Sequence, residues 1–144
     1  MIVLDAYAVL ALLKAEPAAP GVRALLQGDD KARLTAVGLA EVVDHLVRLS
    51  GASEDGAALD LAQLGLADAL AVDTGLSLRA GLLRARHYHR RDRAVSLADC
   101  VAVEAARANH APLVSADPHL LDVCRDEDIG VIALPDSTGR TWSS

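Results

Sequence analysis

The first five residues constrain this chain most. Ile2-Val3-Leu4 is an apolar run too short for a helix, and it stops abruptly at Asp5. Such a run reads as a strand buried on both faces, the setting of a parallel sheet covered by helices on either side. A crossover must then follow. Tyr7 to Lys14 is predicted helical and, after the breaks at Pro17 and Pro20, so is Gly21 to Gln27. The alternation continues: Arg33 to Val37, Ala69 to Val72, Pro112 to Ser115 and Ile129 to Leu134 read as strands. Between them, Leu39 to Ser50 reads as a helix closed by Gly51, then Ser53 to Leu66 as another. Asp73 caps a helix running toward Tyr88, Ser96 opens one that ends near Asn109, and Asp117-Pro118 is a helix start. The expectation is one α/β domain over residues 1–136, with a mainly parallel sheet of about five strands flanked by helices. Residues 137–144 are expected to form a loose polar tail.

The core must be aliphatic. Hydrophobic residues make up 52% of the 144 and charged ones 24%, enough apolar surface for a folded domain. Phe is absent, and Tyr7, Tyr88 and Trp142 are the only aromatics. That is too few rings for the multi-ring surface of a stacking-based single-strand binder. No uncharged apolar run approaches the roughly 18 residues of a membrane span. Asp5, with no basic stretch before it, argues against a signal peptide, so the expected location is the cytoplasm. Cys100 and Cys124, without a C-x-x-C pair, supply neither a disulfide framework nor a zinc knuckle. The net charge of −6 is not that of a general nucleic-acid binder. Even so, Arg79, Arg84, Arg86, Arg90, Arg91 and Arg93 crowd one segment that contains a single acid, Asp92. That segment is either a local strip for a phosphate backbone or a solvated helix end.

Ligands of open α/β sheets bind beyond the carboxyl ends of the strands, where Asp5 and Asp117 fall. Asp5 lies between a buried strand and a helix that is apolar all round, so a simple capping role would not by itself favour a charge there. Asp99 shares a stripe with Val103 and Ala106, opposite Glu104 and Arg107, which are expected to mark the solvated side of their helix. An acid on a buried stripe needs a cation or hydrogen-bond donors, and Ser96, three residues earlier, can form a capping box with it. Glu41 points away from the apolar face Leu39, Val42, Val43, Leu46 and Val47, so periodicity alone leaves it on the surface. Asp44, one turn on, is either a supporting acid or a surface charge. Asp117 reads as a helix cap before Pro118, and Ser115 stands within reach of a carboxylate. His87 and His89 are two apart and do not share a helix face, and His110 and His119 fall in loops, so zinc is not indicated. Asp122, Asp126, Glu127 and Asp128 read as an exposed acidic turn. There is no G-x-S-x-G and no phosphate-binding G-x-x-x-x-G-K.

Four segments in this order carry a resemblance. They are Ile2-Val3-Leu4-Asp5-Ala6 with Val9-Leu10-Ala11-Leu12-Leu13; Thr35-Ala36-Val37-Gly38-Leu39-Ala40-Glu41-Val42; Ser96-Leu97-Ala98-Asp99; and Leu113-Val114-Ser115-Ala116-Asp117. Nearly the whole chain resembles a PIN-domain protein, and more narrowly a VapC-type toxin of bacterial toxin–antitoxin pairs. The resemblance implies a ribonuclease site in which Asp5, Glu41, Asp99 and Asp117 bind magnesium or manganese. Beside these, Ser96, Ser115 and Asp44 are candidate supporting groups by their positions, and Arg84, Arg86, Arg90, Arg91 and Arg93 are candidate RNA contacts by their clustered charge. RNA hydrolysis leaving 5′-phosphate and 3′-hydroxyl ends, a VapB-like antitoxin and a homodimer belong to the same expectation. One departure stands out: Tyr7 occupies a position where many members carry Ser or Thr. If the acids converge, each close pair costs roughly 4 kcal/mol at an effective dielectric near 20, so a cation or protons must offset them. All-oxygen ligands favour a hard ion over zinc.

Other readings compete. A non-catalytic PIN module would tolerate loss of two or more acids, whereas this chain keeps all four; a PIN nuclease outside toxin–antitoxin systems, or one cutting DNA, fits the same acids. A receiver-like phosphoacceptor needs a late lysine, but the only lysines are Lys14 and Lys31. A phosphatase with Asp-x-Asp after its first strand is disfavoured by Tyr7.

Overall fold

The computed structural model describes all 144 residues. The elements run β1 (Ile2–Leu4), α1 (Ala6–Leu13), α2 (Ala19–Gln27), β2 (Ala32–Arg33), α3 (Ala36–Arg48), α4 (Glu54–Gln63), α5 (Thr74–His87), α6 (Leu97–Ala108), β3 (Leu113–Ser115), α7 (Pro118–Asp126) and β4 (Val131–Ala133). The sheet has the order β2-β1-β3-β4 and every pairing is parallel, with Val3 opposite both Arg33 and Leu113.

Strand alternation explains the layers. Ile2, Leu4 and Val114 enter an apolar cluster with Val9 of α1, Val22 of α2, Val42 and Leu46 of α3 and Leu61 of α4. Val3 and Leu113 enter the opposite cluster with Leu83 of α5, Val103 of α6 and Leu120 of α7. The central strands are thus covered on both faces, as their uninterrupted apolar sequence requires.

The sheet has four strands where about five were expected. Ala69–Val72 contributes one bridge, Leu70 to Thr35, with Leu70 N–H donating to Leu34 O at 2.8 Å. Only Leu70 of this segment is buried, Ala71 is exposed, and Asp73 starts α5 at once, so pairing has no room to extend. The second strand is also shorter than the expected Arg33 to Val37. Thr35 is drawn out of it as the cap of α3, its Oγ1 accepting Gly38 N–H at 2.9 Å, and Val37 is helical. Ile129, expected in the last strand, instead closes α7 by donating N–H to Cys124 O at 2.8 Å.

Two further expectations are corrected. Glu104 was placed on a solvated side, but α6 is buried from Cys100 to Ala106 and Glu104 is 3% exposed. It lies against Arg107, whose Nε donates to Glu104 Oε2 at 3.0 Å. The tail is not loose: Pro135 bridges to Thr141, and Trp142 Nε1 donates to Asp122 at 2.9 Å. No helix is long and apolar enough to cross a membrane.

Candidate active site

Parallel strands end on the same side, so the residues that follow β1 and β3 meet. Asp5, directly after β1, caps α1, its Oδ1 accepting Ala8 N–H at 2.9 Å. Asp117, two residues after β3, caps α7 and accepts His119 N–H at 2.9 Å. Asp99 completes a capping box at the start of α6: Ser96 N–H donates to Asp99 Oδ2 at 2.9 Å, and Asp99 N–H donates to Ser96 Oγ at 3.0 Å. Glu41 comes from the second turn of α3. These four acids line one cleft of about 220 Å³ with Tyr7, Thr35 and Gly38. Four helix N-termini, those of α1, α3, α6 and α7, adjoin it, and their partial positive charge favours anions there.

Ser115 ties two of the acids together. It is fully buried, its Oγ accepts Asp117 N–H at 3.0 Å, and its hydroxyl donates to the Asp5 carboxylate. Ser96 holds Asp99 by a different route, its backbone N–H donating to the carboxylate.

No lysine, arginine, histidine or terminal amine forms an ion pair with any of the four acids. Their proton affinities reflect this. Burial pushes the Asp5 carboxyl up to about 7; hydrogen bonds from Ser115 and Ala8 N–H oppose the rise, and the charges of Asp99 and Asp117 add to it. Asp99 is raised by burial and by Asp117 against the pull of its Ser96 hydrogen bonds, and Glu41 by burial and by Asp99. The donors are all oxygen, which suits a hard divalent ion, and each capping aspartate has a second carboxylate oxygen outside its cap bond. No three of the acids close into a ready-made ligand cage.

Several predicted residues lie elsewhere. Asp44 is exposed on α3 and takes both Arg48 Nε and Nη2, at 3.1 and 3.0 Å, so it does not support the cleft. Half of the arginine strip is engaged by the fold, and Arg79 is exposed on α5 without a partner. Arg84 donates to Val95 O at 2.9 Å and stacks over Tyr88, Arg86 pairs with Glu127, and Arg93 pairs with Asp126 at 2.8 Å. Of the acidic turn, Asp126 and Asp128 are exposed as expected, while Asp126 and the half-buried Glu127 are the partners of the basic segment. Arg90 and Arg91 remain exposed, without side-chain partners, on a short hairpin closed by His89 and Arg93. Ala94 N–H donates to His119 Nδ1 at 3.0 Å, tying this hairpin to the first turn of α7 beside Asp117. Both cysteines are buried in the core, and burial pushes Cys100 up to about 11 and Cys124 up to about 12, which makes them unreactive. Sequence reasoning missed Thr35 as a cleft residue. A threonine just before an amphipathic run was the available signal, but assigning Arg33 to Val37 to a strand concealed it.

With this geometry in hand, comparisons with known proteins agree on the architecture. The family model described as PIN domain matches residues 2–126. The fold is similar to a chain in "Crystal Structure of FitAcB from Neisseria gonorrhoeae", with TM-score 0.66, 19% identity, and coverage of 92% of this chain and 96% of that one. It is similar to a chain in "Crystal structure of VapBC2 from Rickettsia felis bound to a DNA fragment from their promoter", with TM-score 0.66, 16% identity, and coverage of 92% and 98%. A chain of the toxin-antitoxin complex from Klebsiella pneumoniae gives TM-score 0.61 at 14% identity, covering 81% of this chain and 87% of that one. No curated protein is detectably similar in sequence.

Proposed function

This chain belongs to the PIN domain family, and from that premise we propose that it is a metal-dependent endoribonuclease, the toxin of a VapBC-type toxin–antitoxin pair. One observation carries the reading: four acids from four distant segments line a single cleft and no basic side chain pairs with any of them. A purely structural role would favour neutral caps at those helix starts, because buried unpaired carboxylates lower stability.

Asp5, Glu41, Asp99 and Asp117 would hold magnesium or manganese. Such an ion supplies Lewis acidity, easing deprotonation of water and offsetting charge on the phosphodiester. The protein's own groups prepare the site. Ser115 and Ala8 N–H orient Asp5, Ser96 orients Asp99, and His119 N–H orients Asp117. Asp5 retains a proton up to about pH 7. Glu41, the most exposed of the four, stands at the mouth, where its carboxylate can accept a proton from water. Arg90 and Arg91 lie on a hairpin anchored to the cleft's rim and would engage phosphates along the strand. Attack of water on phosphorus with cleavage of the P–O3′ bond, the 3′-oxygen leaving and taking up a proton, would give a 5′-phosphate and a 3′-hydroxyl. Assembly with a VapB-like antitoxin, and homodimerisation, belong to the same proposal. The structural neighbours from toxin–antitoxin complexes support the antitoxin partner.

The test is cleavage of a structured RNA, and of a DNA of the same sequence, in magnesium, in manganese and in EDTA. RNA cleavage should require the ion and fall by on the order of 10²–10³-fold in Asp99→Asn, the scale of removing one preorganised charge-stabilising group. Cleavage undiminished in EDTA and in Asp99→Asn overturns the proposal. Preference for the DNA overturns the ribonuclease assignment.

A further inference from the structure

An acidic cleft on a chain of net charge −6 repels a polyanion, and the free cations near its rim reduce to Arg90 and Arg91. Even with a divalent ion offsetting the acids, these Coulombic contacts fall on phosphates, and holding a base needs a contribution of another kind. The cleft contains one side chain able to give it. Tyr7 lies in the first turn of α1, two residues after Asp5, and lines the same cleft as all four acids. The other two rings are engaged elsewhere: the Arg84 guanidinium covers Tyr88 at 4.2 Å, and Trp142 is bonded to Asp122.

Tyr7 is also held at both ends. Its base packs against the aliphatic cluster beneath α1. Its hydroxyl faces the Pro135 carbonyl at 3.5 Å and the Glu16 carboxylate, so the O–H is directed at the protein. The ring surface, half-buried, is what remains for a ligand. Aromatic faces bind any base by stacking, but only when that base is out of a duplex.

We propose that the ring of Tyr7 is a stacking platform for one unpaired nucleobase beside the carboxylate cleft, so that this site takes single-stranded or flipped-out nucleotides and not paired ones. One ring does not make a multi-base binding surface; it positions a single nucleotide. The proposal deepens the nuclease reading and rests on it for the identity of the ligand.

The experiment uses the full chain and a single-stranded oligoribonucleotide with 2-aminopurine at successive positions, whose fluorescence is quenched on stacking. Titrations run in calcium with wild type, Tyr7→Phe and Tyr7→Leu, beside a duplex of the same sequence, and turnover in magnesium is measured in parallel. Wild type should quench the probe at one position in the single strand and at none in the duplex. Phe keeps the ring and should preserve the quench. Leu keeps apolar bulk without a π face and should abolish the quench and weaken binding about 10-fold, within the range for loss of one base–aromatic stack. Should Tyr7→Leu fail to fold, the wild-type and Phe titrations still decide. Binding without quenching, or equal quenching by the Leu variant, overturns the proposal while RNA turnover leaves the nuclease reading intact. Tyr7-dependent quenching without turnover under any metal supports the platform and overturns the nuclease instead. Absence of binding overturns the platform outright.

Discussion

Helix α6 carries an acid withdrawn from solvent near each end, Glu104 fully and Asp99 in part, and the two ends of the molecule treat them oppositely. At the C-terminal end, Glu104 lies against Arg107, which also reaches Glu127, and Glu127 takes His87 Nε2 at 2.8 Å and Arg86 at 3.4 Å. The His87 hydrogen bond and the arginines hold Glu127 below the usual carboxylate range, despite partial burial. At the N-terminal end, Asp99 and Asp5 have hydrogen-bond donors and their neighbour Glu41 has none, no cation pairs with any of them, and all three are raised. The same kind of side chain is neutralised from within in one place and left uncompensated in the other. Structure alone would be served by the first arrangement; the second makes sense when the countercharge comes from outside.

The sharpest way to break this contrast is Asp5→Asn. Below about pH 4 Asp5 is protonated whether folded or unfolded and contributes nothing to the pH dependence. Between 3.8 and about 7 the unfolded chain releases a proton that the fold retains, so stability falls as pH rises; above about 7 the loss is complete. A shift of that size corresponds to a ceiling on the order of 4 kcal/mol. Urea unfolding in EDTA should therefore show Asn more stable than wild type, with the gap widening from pH 4 to 7 and then levelling. A destabilised Asn variant at pH 8 would mean that the cleft is not under charge strain.

Arg107→Ala probes the other end and should act in the opposite sense. Removing it leaves Glu104 and Glu127 without their shared partner, a loss of about 2–3 kcal/mol, below the range for fully buried pairs because Arg107 is 39% exposed. Denaturant midpoints at pH 7 check this, and an unchanged midpoint would erase the distinction between the two ends. Arg86→Ala should be the mildest, under about 0.5 kcal/mol, since its side chain is 56% exposed and contacts Glu127 at 3.4 Å. A larger loss would show that the network depends on its rim.

The contrast also explains what was legible in the sequence. Local signals survived: Ser96 with Asp99, Asp117 before Pro118 and Asp73 before α5 all act over three residues, and each cap forms as read. So did β1, whose apolar run permits only a doubly covered strand. What tertiary packing decides was not legible. Glu104 reads as solvated because its charge outweighs its position, yet α6 is sandwiched and Arg107 makes its burial tolerable. The arginine segment reads as a strip because its partners, Asp126 and Glu127, lie more than thirty residues away in sequence. Glu41 is the instructive case. It does face solvent, as its periodicity says, but the solvent at that point is the mouth of the cleft. Only the order of four short segments, which carried the family resemblance, placed it beside the aspartates.

Calorimetric titration of the full chain with magnesium and with manganese at pH 7, repeated in two buffers of different ionisation enthalpy, asks whether the uncompensated acids take their countercharge from a divalent ion. Uptake of the ion should be saturable, with protons released as the carboxylates give up those that burial had retained, and most of that release should be lost in Asp5→Asn. Absence of uptake for both ions, or uptake without proton release that Asp5→Asn leaves unchanged, would contradict a countercharge supplied by the ion.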